Sequence, residues 1–343
     1  MGAKTQTIIG NGMEALIVDV ECQISNGLPA MMVVGSASRR IDEARERVRN
    51  ALLQSGLGWP RKRITINLAP SDIAKDGTSL DLSIAMAILG ANNQVPQDVL
   101  DNHIFIGELG LEGTLRSVRG LIGLLRGARN RETTFIIPKA NIDQARTITG
   151  LRVIGVATLK EAFDHVTNVR PLAIELTSGY GSINSPTESK VVISLSDITG
   201  QEVAKRTLEI AAAGGHNILL SGPPGTGKSM LARAFQSLLP APSPDEILEI
   251  THLHSLVSTN YESVITTRPF RSPHHSASHT AITGGGTHLR PGEISLSHHG
   301  VLFLDELPEF SRSTIEALRQ PLEDGTITIA RARDNVTYPA DFI

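Results

Sequence analysis

A glycine-rich run at residues 222–229 has the residue types and spacing of a phosphate-binding loop, G-x-x-x-x-G-K-[ST]. Glycines let the backbone turn so that its N–H groups point inward at phosphate oxygens. The lysine of such a loop supplies a positive charge for the β- and γ-phosphates, and the final hydroxyl is a ligand for Mg²⁺. We therefore predict that ATP and Mg²⁺ bind here. The residues of the predicted ATP site are Gly222, Pro223, Pro224, Gly225, Thr226, Gly227, Lys228, Ser229 and Met230.

The segments on either side of this loop support that prediction. Residues 217–220 are apolar and predict a short strand that runs into the loop. The segment after the loop, to about Leu239, is amphipathic and predicts a helix whose N-terminal end favours bound anions. A glycine-rich loop that arose by chance would not be expected to have both an apolar segment before it and an amphipathic segment after it.

A second apolar run, residues 301–304, ends in two carboxylates, Asp305 and Glu306. Such a pair is weak by itself, but it lies about 75 residues after a phosphate-binding loop, where a partner for that loop is expected. We predict that Asp305 and Ser229 hold Mg²⁺, and that Glu306 activates the attacking water. Together with Lys228 these carboxylates are the predicted catalytic residues of ATP hydrolysis. Glu309 competes with Glu306 but lies beyond the strand.

Six histidines are concentrated in one region of the chain, which raises the alternative of a metal site. No spacing among them matches a compact site such as H-E-x-x-H, and the chain has a single cysteine. Residues 284–286 are three glycines and predict a mobile loop, so contacts to a partner or a polymer are the favoured interpretation. These histidines are His274, His275, His279, His288, His298 and His299.

The hydrophobic pattern predicts two α/β domains. Residues 1–168 form the first, 169–196 a linker that includes the polar tract 178–189, and 197–343 the second. In the first domain we predict strands at 15–20, 30–34, 64–68, 103–107 and 134–137, and helices at 41–52 and 79–90. In the second we predict helices at 202–213 and 314–320 and a hairpin that includes 326–329.

Composition narrows the possible surroundings and partners. The 343 residues carry a formal net charge of -3, and aromatic residues make up 3%. Binding of DNA would therefore depend on individual Arg and Lys contacts to phosphate rather than on a basic surface or on base stacking. The single cysteine, Cys22, fits a reducing cytoplasm, and we find no signal peptide and no apolar run long enough to span a membrane.

The second domain resembles AAA+ ATPases of the magnesium-chelatase-like group, and within it the ComM/YifB family. Besides the two nucleotide motifs, the resemblance is carried by residues 200–201, 204–217, 268–275 and 292–298. In that family the stretch from about 265 to 299 is an insertion, and residues 321–337 resemble a hairpin that faces the channel of a ring. The resemblance implies a P-loop AAA+ domain with a parallel sheet.

The first domain resembles the Lon-protease-like (ribosomal S5-like) α/β domain of the same family. The carriers are residues 26–29, 43–49, 63–70 and 81–85. Residues 75–79 resemble the segment of the serine nucleophile, with Ser79 at its position. At the position of the lysine base stands Ile122, which cannot accept a proton. We therefore predict a domain without the Ser–Lys dyad.

The resemblance also implies a function for the whole molecule. ComM-like proteins are implied to be hexameric helicases that promote branch migration during natural transformation, so we expect a nucleotide-dependent homo-hexamer that acts on single-stranded or branched DNA. Candidate phosphate contacts are Arg271, Arg331 and Arg333, although ordinary solvated or intersubunit charges explain them equally well. By the family pattern the sensors, the arginine finger and the lid would follow residue 343, so we expect a C-terminally truncated chain. The alternatives are a magnesium-chelatase-type motor subunit and an ATP-dependent Lon-like peptidase.

Overall fold

The computed structural model describes residues 2–35, 39–70, 78–128, 132–179, 193–258, 261–286, 289–330 and 335–343. The chain divides into two units, Met1–Ile183 and Asn184–Ile343, each with its own internal contacts. None of the helices in these ranges is both long and apolar enough to cross a bilayer.

The first unit is a mixed α/β fold built on one sheet of eight strands. The order across the sheet is β10-β9-β8-β5-β1-β2-β4-β3, with parallel pairing among β9, β8, β5 and β1. The strands are β1 (Gly2–Asn11), β2 (Glu14–Ser25), β3 (Ala30–Val34), β4 (Arg63–Ala69), β5 (His103–Phe105), β8 (Thr134–Pro138), β9 (Thr149–Val156) and β10 (Glu175–Ser178), and β6 (Glu108–Leu109) and β7 (Leu115–Arg116) form a separate ribbon. The helices are α1 (Arg39–Gln54), α2 (Asp81–Ala91), α3 (Gln97–Asp101), α4 (Leu121–Gly127), α5 (Ile142–Arg146) and α6 (Leu159–Val166).

Helix α2 is the centre of this unit because, apart from Asp81 and Ser83 in its first turn, it is apolar on every side. All its residues are buried, and it packs against β1 and β2. A helix without a polar face must be covered all round, so the sheet lies on one side and α1 on another. In α1 the described apolar residues Ala44, Val48 and Leu52 are buried, as their helical spacing predicts.

The stretch predicted as a linker contributes a strand to the first unit. Strand β10 lies at the edge of the sheet and pairs antiparallel with β9. The Thr177 hydroxyl donates to the Ile148 carbonyl and accepts from the backbone N–H of Leu151 at 2.9 Å. Residues 175–178, which the composition assigned to the linker, therefore belong to the sheet, because the Thr177 side chain fixes β10 at its edge.

The second unit contains seven helices and six short strands among the residues described. The helices are α7 (Glu202–Gly214), α8 (Lys228–Leu238), α9 (Pro244–Ser255), α10 (His279–Thr283), α11 (Glu293–Leu296), α12 (Arg312–Ala317) and α13 (Arg319–Asp324). The strands are β11 (Phe270–Arg271), β12 (Gly284–Gly285), β13 (Arg290–Pro291), β14 (Val301–Leu302), β15 (Thr326–Ala330) and β16 (Asn335–Pro339). Strands β15 and β16 form the predicted hairpin.

A small parallel sheet positions the carboxylates of this unit. Strands β11 and β14 pair in parallel, and the backbone of Ile343 pairs with β14 on its other edge. Gly300 precedes β14 because the carbonyl of Pro269 occupies the place that a Cβ would need. The sheet packs against α8 through a core that includes Val301, Leu231 and Phe235.

Two sequence predictions for the second unit are wrong. Residues 217–220 form no strand, because no neighbouring strand pairs with them in the structure as described; Ile218 and Leu220 pack on the core while Leu219 is 81% exposed. Their apolar character reflects packing against the helices. The glycine run is also not a plain loop, since Gly284 and Gly285 pair with Pro291 and Arg290 as β12 and β13. The Tyr338 hydroxyl donates to the Leu289 carbonyl at 2.8 Å and ties this pair to β16.

Candidate nucleotide site

The loop at residues 222–229 has the backbone that a phosphate cradle requires. Gly225 and Gly227 have φ angles of 80° and 83°, and a Cβ at either position would meet only open space, so the constraint on these positions is conformational. Thr226 donates through Oγ1 to the Pro223 carbonyl at 2.9 Å and closes the turn. Helix α8 begins at Lys228, and its free N–H groups therefore face the loop.

Lys228 lies folded back over this loop. Its Nζ donates to the carbonyls of Gly222 and Pro223 at 2.9 and 3.0 Å. Neither contact is an ion pair, so the ammonium charge is held next to the cradle without a counter-charge from these partners. An anion in the cradle would find this cation and the helix N-terminus on the same loop. Met230, the last residue of the predicted ATP site, is 44% exposed.

Ser229 and Asp305 are brought together from positions 76 residues apart in the sequence. The Ser229 hydroxyl donates to Oδ2 of Asp305 at 3.4 Å. A hydroxyl and a carboxylate at this separation are the hard oxygen donors that Mg²⁺ prefers. The donor set beside the loop therefore fits the ion that a bound nucleoside triphosphate would carry.

Glu306 follows Asp305 with a left-handed backbone. Its φ and ψ are 54° and 50°, and its N–H donates to Oδ1 of Asp305 at 3.1 Å. The carboxylate Oε2 lies 3.5 Å from Nδ1 of His275. The competing acid Glu309 is exposed in the following 3₁₀ turn, where its backbone N–H donates to the Glu306 carbonyl at 2.8 Å.

Two residues near the loop, His275 and Gln201, were not predicted to belong to the nucleotide site, although His275 was among the histidines expected to contact a partner or a polymer. His275 lies beside Glu306 only because β11 pairs with β14, and the sequence carries no signal for that pairing. Gln201 has a φ of 59° and donates through Nε2 to the carbonyl of Thr226 at 3.2 Å. Residues 200–201 carry part of the family resemblance, and this resemblance was the one indication in the sequence that Gln201 lies near the nucleotide site.

Two residues of the histidine-rich region, His298 and His299, and Glu249 of α9 place potential metal-ligand atoms within 4.8 Å of one another. His298 accepts the backbone N–H of Asp341 at Nδ1, 3.0 Å away, so its neutral ring carries the hydrogen on Nε2. That Nε2 lies 3.2 Å from Glu249, to which it donates. A metal at Nε2 would need the lone pair that this tautomer lacks, and the cluster is therefore a hydrogen-bonded network. His288 lies outside the described residues.

Of the three candidate DNA contacts, the structure describes only Arg271. Arg271 forms a bidentate pair with Glu293, with nitrogen–oxygen distances of 2.5 and 2.6 Å. Its guanidinium is therefore engaged in joining β11 to α11, which favours the alternative of an ordinary structural charge. Arg331 and Arg333 lie outside the described residues.

The first unit places the two residues that the resemblance aligns with a Ser–Lys dyad in its interior. Ser79 is 7% exposed and Ile122 is fully buried in α4. Lys75, Asp76 and Gly77 of the nucleophile-like segment lie outside the described residues.

Comparisons with known proteins agree with the fold class. Residues 194–343 match the family described as magnesium chelatase, subunit ChlI, and residues 20–141 match that described as subunit ChlI of Mg-chelatase. The uncharacterized protein YifB of Escherichia coli is 47% identical over 339 residues, which are 96% of this chain and 64% of YifB. Competence protein ComM of Haemophilus influenzae is 44% identical over 338 residues, 96% of this chain and 65% of ComM.

A more distant relative is the magnesium-chelatase 67 kDa subunit of Chlorobaculum parvum. It is 26% identical over 158 residues, which cover 44% of this chain and 22% of that subunit. The chain spans slightly less than two thirds of the YifB and ComM sequences but nearly all of it aligns with them. The chain belongs to the ComM/YifB family of magnesium-chelatase-like AAA+ proteins.

Proposed function

We propose that this chain binds ATP with Mg²⁺ at residues 222–230 and hydrolyses it. The observation that carries the proposal is the 3.4 Å contact between Ser229 and Asp305 at the start of α8. It places the last residue of the glycine loop against the carboxylate that follows β14. Together with the free helix N-terminus and Lys228, this arrangement supplies both an anion cradle and a divalent-ion ligand pair.

Each residue of the site has a role in this proposal. Lys228 exchanges its two carbonyl contacts for the β- and γ-phosphate oxygens, which are stronger acceptors because they are charged. Ser229 and Asp305 hold Mg²⁺, directly or through water. When bound, the ion neutralises the negative charge that develops on the phosphates during transfer. Glu306 accepts the proton of the attacking water.

Two substitutions separate binding from hydrolysis. Glu306→Gln keeps the size of the side chain but cannot accept a proton, so we expect turnover to fall at least about 100-fold with nucleotide affinity retained. Lys228→Ala should instead lose nucleotide binding, measured with a fluorescent ATP analogue. Glu309→Gln, with the same charge change three residues away, is the control and should hydrolyse normally. Turnover that survives in Glu306→Gln would show that another group is the base.

We further propose that ATP turnover drives remodelling of single-stranded or branched DNA by a cytoplasmic homo-hexamer. The proposal is supported by the 44% identity to a competence protein and by the family resemblance of residues 265–299 and 321–337. In this protein the first stretch contains the β12–β13 pair and the second contains most of the β15–β16 pair, and the hydrogen bond from Tyr338 of β16 to Leu289 joins the two pairs. Two linked hairpins can present one surface to a polymer.

The DNA proposal is tested by filter binding of three- and four-way junctions to the full-length protein over a series of salt concentrations. Contacts to phosphate release counterions, so the logarithm of the binding constant should fall linearly with the logarithm of the salt concentration. Binding that ignores salt, or no binding at all, would contradict a DNA role.

The matches to magnesium-chelatase families keep a second candidate open: a motor subunit for insertion of a metal into a porphyrin. The shared part is the nucleotide site, while the Lon-protease-like first domain is proposed to distinguish the ComM-like branch. ATP turnover stimulated by DNA favours the DNA motor; stimulation by a porphyrin and its chelatase partners favours the alternative. The burial of Ser79 and Ile122 argues against a peptidase.

A further inference from the structure

We propose that the turn at residues 26–29 and the cations at 61–63 form a surface of the first unit that binds branched DNA, an inference that rests on the DNA function proposed above. The topology of the sheet brings the two segments together. Strand β4 lies between β2 and β3, and its first residue, Arg63, pairs with Ser25 on one side and Ala30 on the other. The turn that joins β2 to β3 therefore passes over the start of β4, where the cations lie.

The three cations of this surface have no acidic partner. Arg61, Lys62 and Arg63 are exposed, and none of them forms an ion pair within the described part of the chain. The guanidinium of Arg63 donates to the sulfur of Met32 at 3.0 Å, and this acceptor is neutral. Residues 48–71 contain four cations and no carboxylate, although the whole chain has a net charge of -3. A local run of uncompensated positive charge fits a polyanion.

The turn places an apolar side chain beside these cations. Leu28 is 88% exposed, the highest value for a large apolar residue among those that the structure describes. Pro29 follows it, and a proline restricts the backbone of the preceding residue to extended conformations. The turn also lies against the Arg63 stem, because a Cβ at Gly27 would be 3.6 Å from the Cβ of Arg63. Leu28 and the cations therefore occupy the same end of the sheet.

The segment that carries the cations is firmly anchored. Leu57 is 5% exposed and belongs to the core of the first unit, and Trp59 packs against that core. Pro60 is buried, and β4 begins at Arg63. The cations are thus held by packed residues on one side and by the sheet on the other. A surface that is already ordered loses less conformational freedom when it binds.

Branched DNA offers both kinds of contact at one place. Its backbone supplies phosphates for the cations. Leucine is one of the apolar side chains that proteins insert between bases, and insertion has to overcome base stacking. Bases at a branch point are already partly unstacked, so insertion there costs less than in a continuous duplex. We therefore assign the phosphate contacts to residues 61–63 and the insertion at the branch to Leu28.

The phosphate contacts are tested with Arg61→Gln combined with Lys62→Gln in the full-length protein, by filter binding without nucleotide. The slope of the logarithm of the binding constant against the logarithm of the salt concentration should decrease by about 2 for each subunit engaged, for a four-way junction and for a linear duplex alike. The matched control is Lys139→Gln with Arg170→Gln, which removes two exposed cations of the same unit. Equal slopes in the two double variants would overturn the proposal.

The insertion is tested with Leu28→Ser. We expect its affinity for the junction to fall about tenfold and its affinity for the duplex to stay unchanged, because the side chain acts only where bases are unstacked. The fluorescence of 2-aminopurine at the branch point should rise when the wild-type protein or Leu28→Met binds, but not when Leu28→Ser binds. Leu111→Ser changes an exposed leucine in another turn and should behave like the wild type.

Three further results would contradict the inference. Leu28→Ser that binds the junction as tightly as the wild type removes the role of the apolar side chain. Loss of binding to phosphatidylglycerol vesicles, with DNA binding retained, would identify a lipid contact. A smaller assembly mass of Leu28→Ser without DNA would identify a contact between copies of the chain. If the wild-type protein binds neither DNA, the proposed DNA function fails and this inference fails with it; if it binds both and the variants bind equally well, only this inference fails.

Discussion

At the scale of single residues, the nucleotide site shows how backbone conformation decides what adjacent side chains do. Asp305 and Glu306 are consecutive carboxylates, yet one contacts Ser229 and the other His275. The sequence identified both as candidates, because carboxylates at the end of an apolar run are easy to recognise. It could not give their directions, since these depend on the left-handed conformation of Glu306, which is uncommon for a residue other than glycine.

The buried pair of Arg47 and Asp81 gives a prediction for the first unit. Arg47 donates through Nε and Nη2 to Asp81 at 2.7 and 3.1 Å, and Asp81 also accepts the Leu109 N–H. Burial raises the pKa of Asp81 to about 6 although Arg47 opposes this shift, so removing the charges from water is costly. Asp81→Leu removes the bidentate partner of the guanidinium, which keeps only a 3.8 Å contact to the exposed Glu43, and should lower the free energy of unfolding by about 3 kcal/mol.

The double variant Arg47→Met with Asp81→Leu should recover most of that loss, because it removes both charges. Urea unfolding followed by the fluorescence of Trp59 measures the effect, since this residue is the single tryptophan of the chain and packs against the core of the first unit. Asp143→Asn is the control: its partner Arg146 also pairs with Glu175, so we expect a change within about 0.5 kcal/mol. A double variant that is less stable than Asp81→Leu would show that the pair is net stabilising.

At the scale of elements, the sequence predicted those whose own periodicity reveals the buried side. The apolar residues of α1 and α7 recur at helical spacing, and both helices formed close to the predicted bounds. Strand β1 was not predicted because two of its buried positions, beside Ile8 and Ile9, are the polar residues Thr5 and Thr7; the Thr5 hydroxyl contacts Ser83 of α2. Conversely, residues 217–220 were predicted as a strand from their apolar character alone. A strand also requires a neighbouring strand to pair with, and no local sequence pattern encodes that partner.

The network around His298 joins three elements and predicts a pH dependence of the second unit. It connects α9, the turn before β14 and the segment after β16 through Glu249, His298 and Asp341. Burial, and next the neighbouring His299, lowers the pKa of His298 below its ordinary value of 6.5. The folded state therefore binds the proton less well than the unfolded state. The stabilisation by neutral His298 is complete above pH 6.5 and is lost as the pH falls through the lowered pKa.

Hydrogen exchange of the backbone amides at residues 301–303, corrected for the intrinsic rate, measures this loss between pH 7.5 and 5.5. We expect protection in the wild-type protein to decrease as the pH falls. In His298→Gln, which has no titrating ring, the decrease should be smaller. His279→Gln changes an exposed histidine and should follow the wild-type profile. Parallel profiles for His298→Gln and the wild type would mean that another group causes the pH dependence.

At the scale of the whole molecule, the net charge of -3 constrains the DNA binding proposed above. A chain without a net positive charge attracts DNA only through local cations, so few phosphate contacts should account for the salt dependence. Because the guanidinium of Arg271 is paired with Glu293, Arg331 and Arg333, which follow β15 in the sequence, become the main candidates. The family resemblance of residues 321–337 supports the same choice.

The change that tests this choice is Arg331→Gln with Arg333→Gln. If both side chains contact phosphate, the slope of the logarithm of the binding constant against the logarithm of the salt concentration should decrease by about 2 per subunit engaged, with junction preference unchanged. The matched control is Arg312→Gln with Arg319→Gln, which removes the same charge from exposed helix positions that pair with Glu316 and Glu323. Equal slopes in the two double variants would show that net charge, rather than contacts of the hairpin, controls DNA binding.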